Sequence, residues 1–182
     1  MSNHLRIIGG QWRSRQLRFP SITGLRPTGD RMRETLFNWL MWQVEGARVL
    51  DAFAGSGALG LEALSRGAKE CDFIELNPKA CQQLRANLQL LACEQARVWQ
   101  QSCLDFLQSG PQAYELIFLD PPFGQQLLTP CLELIAQHSL LAPGGKLYVE
   151  AEQGFSLSGG WQIDKHKQQG QVQCWLLSQV KG

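Results

Sequence analysis

Short apolar runs alternate with segments of helical periodicity along most of the chain, from about residue 48 onward. The apolar runs are predicted strands, and they cover residues 49–50, 71–74, 96–99, 116–119 and 146–149. The segments between them repeat apolar residues every three or four positions and are predicted helices, at residues 59–65, 78–91, 104–108 and 127–140. This alternation is typical of an α/β fold, in which helices cover both faces of a mostly parallel sheet.

The two ends of the chain have a different pattern. Residues 5–10 and 15–19 hold short apolar stretches around a polar, glycine-containing connection, and they predict a small N-terminal β-hairpin. Residues 161–165 and 172–177 predict a C-terminal antiparallel hairpin. Both hairpins lie outside the alternating part of the chain.

Composition narrows the class of protein. Hydrophobic residues make up 44% and charged residues 18% of the 182 residues, as in ordinary globular proteins. There is no apolar run of membrane-spanning length and no apolar segment typical of a secretory signal, so we expect a cytoplasmic protein without membrane contact. The six cysteines are irregularly spaced and lack the close pairs of a zinc site, so we expect reduced thiols and no metal.

Charge is distributed unevenly, although the net charge of the whole chain is only +1. Residues 1–33 carry a net charge of +6, and the remainder carries −5. The positive charge comes from seven arginines and no lysine, and these are Arg6, Arg13, Arg15, Arg18, Arg26, Arg31 and Arg33. Guanidinium groups make planar, two-pronged contacts with phosphate, so the pattern favours a nucleic-acid partner over a solvated surface.

We therefore divide the chain into an arginine-rich, nucleic-acid-binding extension at residues 1–28 and a main domain at residues 29–182. The first helix of the main domain has Asp30 as its expected cap and apolar residues at helical spacing. We expect this helix to end near Gly46.

A glycine-rich turn follows the first predicted strand of the sheet. Asp51 ends that strand, Gly55, Gly57 and Gly60 lie in the turn, and Glu75 ends the next strand. Glycines let the backbone turn tightly and let a ligand approach, and a carboxylate at the position of Glu75 can bind ribose hydroxyls. The spacing fits a nicotinamide dinucleotide or S-adenosylmethionine; we favour the latter, because Asp51 would repel a pyrophosphate but attract an ammonium and a sulfonium. A turn that only packs a helix on the sheet is the simpler alternative.

The fourth predicted strand ends in Asp120-Pro121-Pro122-Phe123, at the edge where an open parallel sheet binds its ligands. An exocyclic amino nitrogen of adenine or guanine is a poor nucleophile, because its lone pair is delocalised into the ring. If Asp120 and the carbonyl of Pro121 each accept one N–H, the nitrogen can pyramidalise toward a methyl donor, while Phe123 stacks on the base. The simpler alternative is that the prolines end the strand and Phe123 belongs to the core.

The chain as a whole resembles one family, the bacterial 16S ribosomal RNA guanine-N2 methyltransferases. The resemblance rests on residues 6–15 (RIIGGQWRSR), on residues 24–40, which include Leu25 to Thr28 and the DRMRETLFNWL segment, and on residues 51–67 and 120–123. It implies a Rossmann-like class I S-adenosylmethionine-dependent methyltransferase fold. It also implies one target, guanine 966 of 16S ribosomal RNA, within a 30S subunit or assembly particle. A monomer is expected.

The resemblance also assigns residues to the expected sites. Catalysis would involve Asp120, Pro121, Pro122 and Phe123. The cofactor would contact Asp51, Phe53, Gly55, Ser56, Gly57, Glu75, Leu76, Ser102 and Cys103, the last two at its adenine. The RNA would contact Arg6, Arg13, Arg15, Arg26, Thr28, Arg31 and Arg33. The family can carry arginines after the catalytic turn, where this chain has Gly124-Gln125-Gln126, which removes a phosphate contact.

Three other functions fit parts of the pattern. An adenine-N6 methyltransferase acting on DNA can use the same turn, but it generally needs a further module to recognise DNA sequence, and the core is followed here by a short hairpin. A nicotinamide oxidoreductase would leave residues 120–123 unexplained. A non-catalytic RNA-binding module would not need both an intact cofactor turn and an intact catalytic turn.

Overall fold

The computed structural model describes residues 3–25 and 28–181. In chain order its elements are β1 (Asn3–Arg6), β2 (Gln16–Phe19), α1 (Asp30–Trp39), β3 (Arg48–Asp51), α2 (Ala58–Ser65), β4 (Glu70–Glu75), α3 (Pro78–Leu90), β5 (Ala96–Gln100), α4 (Cys103–Gln108), β6 (Tyr114–Leu119), α5 (Leu128–Gln137), β7 (Leu141–Glu152), β8 (Trp161–Gln169) and β9 (Val172–Gln179). Each strand predicted from an apolar run is present, and so are both terminal hairpins. The mostly parallel α/β fold is therefore confirmed.

Seven strands form the central sheet in the order β5-β4-β3-β6-β7-β9-β8. Strands β3 to β7 pair in parallel, whereas β9 pairs antiparallel with both β7 and β8. After β3, the chain places β4 and β5 on one side of it and then β6 and β7 on the other side, so the strand order reverses between β3 and β6. At such a switch point the loops diverge and leave a crevice beyond the carboxyl ends of the strands.

The core consists of two apolar layers, one on each face of this sheet. Side chains alternate along β6, so that Leu116 and Phe118 pack with α1, α2 and α3, while Ile117 and Leu119 pack with α4 and α5. Because β6 is covered on both faces, its run of apolar residues is continuous rather than alternating with polar ones. Helices on both faces were predicted, and this arrangement is confirmed.

The hairpin of β1 and β2 packs on α2 and α3 and shares the first apolar layer. Glu62, on α2, is fully buried, and its carboxylate accepts hydrogen bonds from the amides of Ile8 (3.0 Å) and Gly9 (2.8 Å). On α3, the side-chain amide of Asn87 donates to the carbonyl of Arg18 at 2.8 Å. The division of the chain at residue 28 stays a prediction, and the hairpin is bound to the main sheet's helices by buried polar contacts.

Three predicted boundaries were wrong. Helix α1 ends at Trp39 instead of near Gly46, because a turn follows in which the amide of Gln43 donates to the carbonyl of Leu40. Asp30 is the first helical residue, after Gly29 at the cap, and its carboxylate pairs with Arg33 instead. Strand β7 begins several residues earlier than its apolar run, and a register shift opposite β6 accommodates its proline and glycines. Among the described residues, no helix is both long and apolar enough to cross a membrane.

Candidate active site

Carboxyl groups from neighbouring strands meet at the carboxyl-terminal edge of the sheet. Asp51 ends β3, Asp120 follows β6 directly, and Glu150 lies near the end of β7. Glu75, at the end of β4, adds a fourth carboxyl group on the other side of β3. The predicted cofactor turn begins at Asp51 and the predicted catalytic turn begins at Asp120, 69 residues later; the fold brings the two turns together. Glu150 is an additional acid at the same edge.

Asp51 is fully buried, and its Oδ2 accepts a hydrogen bond from the amide of Gly60 at 2.9 Å. Its Oδ1 is buried and has no hydrogen-bond partner among the described residues. Burial raises the pKa of Asp51 to about 7; the Gly60 amide lowers it, and the charge of Glu75 raises it further. A buried carboxylate with a free oxygen is suited to a cationic group.

Glu75 is held in one orientation by two backbone amides. Its Oε2 accepts from the amide of Gly55 at 2.8 Å, and its Oε1 accepts from the amide of Asn77 at 2.9 Å. Each carboxylate oxygen has a second lone pair, which remains for a ligand such as a ribose hydroxyl. The predicted ribose-binding acid is thus oriented by the glycine turn itself.

Two glycines of the turn are required by packing. Gly57 has a φ of 83°, and a Cβ there would lie 2.6 Å from Cδ1 of Leu84 on α3. A Cβ on Gly60 would lie 2.3 Å from the ring of Phe73 on β4. Protein side chains fill the space on the Cβ side of both residues, so packing alone requires glycine there. That the turn also lets a ligand approach stays a prediction.

The remaining predicted cofactor residues differ in exposure. Ser56 is buried, Phe53 is half-buried, and Leu76 is 67% exposed directly after Glu75. Ser102 caps α4 by accepting the amide of Asp105 at 3.1 Å. The Sγ of Cys103 is buried 3.8 Å from the Sγ of Cys131, and the adenine contact of residues 102 and 103 stays a prediction.

The Asp120 carboxyl lies deep in the site while the turn after it reaches the surface. Oδ1 of Asp120 is buried without a hydrogen-bond partner among the described residues, and the side chain of Thr28 lies beside the same carboxyl group. Burial, with the charges of Asp51 and Glu150, raises the pKa of Asp120 well above its ordinary value. Phe123 is 50% exposed, so the alternative that it belongs to the core was wrong.

A cleft of about 630 Å³ opens beside this turn. Pro121, Pro122, Phe123, Glu150 and Phe155 are among the residues that line it. The prolines carry no N–H that could compete with the carbonyl of Pro121 as an acceptor. The cleft thus presents hydrogen-bond acceptors and an exposed aromatic ring, which suits a flat, amine-bearing ring.

Comparison with known proteins decides the family. A family model described as Conserved hypothetical protein 95 matches residues 5–178. The ribosomal RNA small subunit methyltransferase D of Haemophilus influenzae is 47% identical over 175 residues, a match that covers 92% of this chain and 90% of that protein. The protein of the same name from Escherichia coli K12 is 45% identical over 174 residues, with 94% and 88% covered. The chain belongs to the ribosomal RNA small subunit methyltransferase D family.

Known structures agree with this assignment. The yhhF protein of Escherichia coli superposes with a TM-score of 0.91 at 44% identity, covering 97% of this chain and 98% of that one. The fold of this family member is the predicted Rossmann-like class I S-adenosylmethionine-dependent methyltransferase fold. A shorter stretch, which covers 42% of this chain, is similar to a tRNA1(Val) (adenine(37)-N6)-methyltransferase of Yersinia pestis, with 35% identity over 79 residues.

The arginines expected to bind RNA do not all lie on the surface of this family member. Arg6, Arg13, Arg15 and Arg31 are exposed, and Arg26 lies outside the described residues. Arg33 is 1% exposed, so its predicted contact with RNA phosphate was wrong.

Charged and backbone partners hold the Arg33 guanidinium inside the protein; the side chain of Glu62 is buried, and that of Asp30 is exposed. The guanidinium lies 2.6 Å from Asp30 and 3.5 Å from Glu62, and it donates to the carbonyls of Arg6 and Thr28. It therefore joins α1 and α2 to the N-terminal hairpin.

Two residues of the site have positions that the sequence did not predict. Thr28 was expected at the RNA, and the structure places its side chain beside the carboxyl groups of Asp120 and Glu150, where its hydroxyl lowers the pKa of each. Glu150 was not predicted, although a signal existed, because it directly follows the apolar run at residues 146–149. An acid at the end of a strand that neighbours the catalytic strand is positioned to face the ligand.

Proposed function

We propose that this protein transfers a methyl group from S-adenosylmethionine to the exocyclic N2 of one guanine of 16S ribosomal RNA, guanine 966 by its family resemblance. The observation that carries the proposal is the Asp120 turn, with a buried carboxyl oxygen that has no partner among the described residues, next to a half-exposed phenylalanine. The names of relatives that are 45–47% identical support ribosomal RNA as the substrate class. The substrate form is proposed to be a 30S subunit or an assembly particle.

The described residues fit S-adenosylmethionine. Oδ1 of Asp51, which has no partner in the part of the chain that the structure describes, would take the cofactor's ammonium, and the oriented carboxylate of Glu75 would take its ribose hydroxyls. When bound, the cofactor supplies an electrophilic methyl group on a sulfonium. The protein's contribution is then to hold the acceptor nitrogen in line and to exclude water.

Asp120 and Pro121 would activate the amine of the target base. Each accepts one N–H, Asp120 through its free carboxyl oxygen and Pro121 through its backbone carbonyl, while Phe123 stacks on the ring. After transfer the nitrogen must lose a proton. The raised pKa of Asp120 suits this carboxyl to take it, and a nearby cation favours its ionised form beforehand.

Nucleoside analysis tests the proposal directly. Labelled methyl is transferred from S-adenosylmethionine to small subunits, or to their RNA, from cells lacking this protein, and the RNA is digested to nucleosides. N2-methylguanosine at one position is the expected product. N6-methyladenosine in the RNA would assign the adenine chemistry of the shorter match, and label in DNA alone would overturn the substrate.

The pH dependence of cofactor binding follows from Asp51. Because the pKa of Asp51 is about 7, about one molecule in ten is ionised there at pH 6, and affinity for the cationic cofactor should rise up to about tenfold between pH 6 and pH 8. Calorimetric titration with S-adenosylmethionine between pH 5.5 and pH 8 measures this. Asp51→Asn should bind weakly and independently of pH; the same rise in that variant would assign the dependence to other groups, such as the three histidines.

Removing two exposed arginines tests the RNA surface. Arg13→Ala with Arg15→Ala should weaken RNA binding and lower the slope of log affinity against log salt by about 1–2, because two phosphate contacts are lost. Filter binding over a range of salt concentrations measures the slope. Arg85→Ala with Arg97→Ala removes the same charge from exposed positions outside the hairpin. An equal effect of both pairs would show that only net charge matters.

A further inference from the structure

We infer that Glu150 selects guanine by accepting the ring N1–H of the target base, next to the amine held by Asp120. The inference rests on the proposed function, since it concerns how the same cleft recognises its base. The turn of residues 120–123 does not explain that choice, because activation of an exocyclic amine is the same problem for adenine and guanine. A second group must therefore recognise the rest of the base.

The position of Glu150 is the first argument. Strands β6 and β7 are paired, with Leu119 opposite Val149, so the residues that follow them, Asp120 and Glu150, are neighbours. Glu150 lines the same cleft as Pro121, Pro122 and Phe123, and its charge is one cause of the raised pKa of Asp120. A base stacked on Phe123 would therefore have two carboxyl groups along one edge.

The partners of Glu150 are the second argument. The hydroxyl of Tyr148, a fully buried residue on the same strand, donates to Oε2 of Glu150 at 3.2 Å, and the Thr28 side chain lies beside the same carboxyl. Burial raises the pKa of Glu150, whereas these two hydroxyls lower it and so favour the ionised carboxylate, which only accepts hydrogen bonds. They also fix the orientation of the carboxylate while leaving acceptor capacity for a ligand.

Guanine and adenine differ in the groups that they present beside the exocyclic amine. Guanine presents two adjacent donors, the ring N1–H and the exocyclic N2 amine, whereas in adenine the ring nitrogen next to the amine is an acceptor. A carboxyl oxygen of Asp120 beside the carboxylate of Glu150 matches the edge of guanine, and the Glu150 carboxylate repels the lone pair of adenine. A site built to hydrogen-bond a substrate N–H discriminates strongly against an analogue that lacks it.

The test compares two target bases in wild type and Glu150→Gln. Small subunits are reconstituted with 16S RNA that carries either guanine or 2-aminopurine at the target position; 2-aminopurine keeps the amine but has an unprotonated N1. Wild type should methylate guanine at least 100-fold better by kcat/KM. Glu150→Gln should reduce that preference at least tenfold, because the glutamine amide can donate to the unprotonated nitrogen.

The controls separate recognition from a structural role. If Glu150 only supports the fold, Glu150→Gln lowers both rates equally and the preference is unchanged, which overturns the inference. Thr28→Val, which removes one hydroxyl at nearly constant volume, should reduce the preference in the same direction but less. Glu133→Gln, at an exposed position on α5, should behave as wild type. If wild type methylates neither base, or if it methylates an adenine elsewhere, the proposed function itself is overturned.

Discussion

Replacing Asp120 by alanine should lower the rate of methyl transfer by about 10²–10⁴-fold. The alanine variant loses the carboxyl oxygen that accepts an N–H of the target amine, so the nitrogen keeps its lone pair in the ring. Cofactor affinity should stay within a few-fold of wild type, because Asp51 and Glu75 keep their partners. Single-turnover kinetics with bound cofactor and calorimetric titration measure the two quantities separately.

Asparagine at the same position provides the matched control. Asp120→Asn keeps one acceptor oxygen and should lose less activity than the alanine variant. The pKa of Asp120 is raised in the folded state, so above the ordinary pKa of an aspartate the folded protein binds more protons than the unfolded one. Ionisation of Asp120 therefore destabilises the fold as pH rises. Asp120→Asn should therefore unfold at a higher temperature than wild type at pH 7–8. Normal turnover in the alanine variant would exclude the proposed role of Asp120.

The second large effect concerns stability, at Glu62. Replacing Glu62 by alanine should lower the free energy of unfolding by about 3–5 kcal/mol, because the buried Arg33 loses a charged partner and two hairpin amides lose their acceptor. Urea denaturation measures the loss. Hydrogen exchange at the amides of Ile8 and Gly9 should become faster in the same variant, since both amides donate to Glu62.

An exposed acid on the neighbouring helix serves as the comparison. Glu34→Ala on α1 should change the free energy of unfolding by no more than about 0.5 kcal/mol. A loss below about 1 kcal/mol for Glu62→Ala, or unchanged exchange at the two amides, would show that Glu62 does not anchor the hairpin. The comparison separates the loss of a buried acceptor from a general effect of removing negative charge.

The sequence predicted the parallel sheet because its central strands are covered on both faces. Such strands are continuous apolar runs, as in β6, and they can be recognised without knowing their neighbours. The two turns that begin with Asp51 and Asp120 were also predicted correctly in place, since each directly follows such a run. The topology then brings them together, because β3 and β6 are adjacent at the switch point.

The residues that were misassigned have partners far away in sequence. Arg33 has the same sequence pattern as an exposed arginine, and its burial depends on Glu62 and on the carbonyl of Arg6, which lies 27 residues before it. Thr28 likewise precedes Asp120 by 92 residues, and only the folded chain shows their contact. Local pattern gives the elements and the strand-end motifs, whereas burial of a charge depends on the tertiary fold.

The docking of the N-terminal hairpin also bears on the order in which the protein folds. An isolated two-stranded hairpin is at best marginally stable in water. The groups that hold this one, Glu62, Ser65 and Asn87, are synthesised 53–69 residues after the positions they bind, so we expect the hairpin to become ordered only when α2 and α3 have formed. The arginines of the N-terminal hairpin emerge from the ribosome early in synthesis. The RNA-facing surface that they are proposed to form exists only once the core of the chain has folded. An incomplete chain that ends before Glu62 carries those charges without the geometry to present them to RNA.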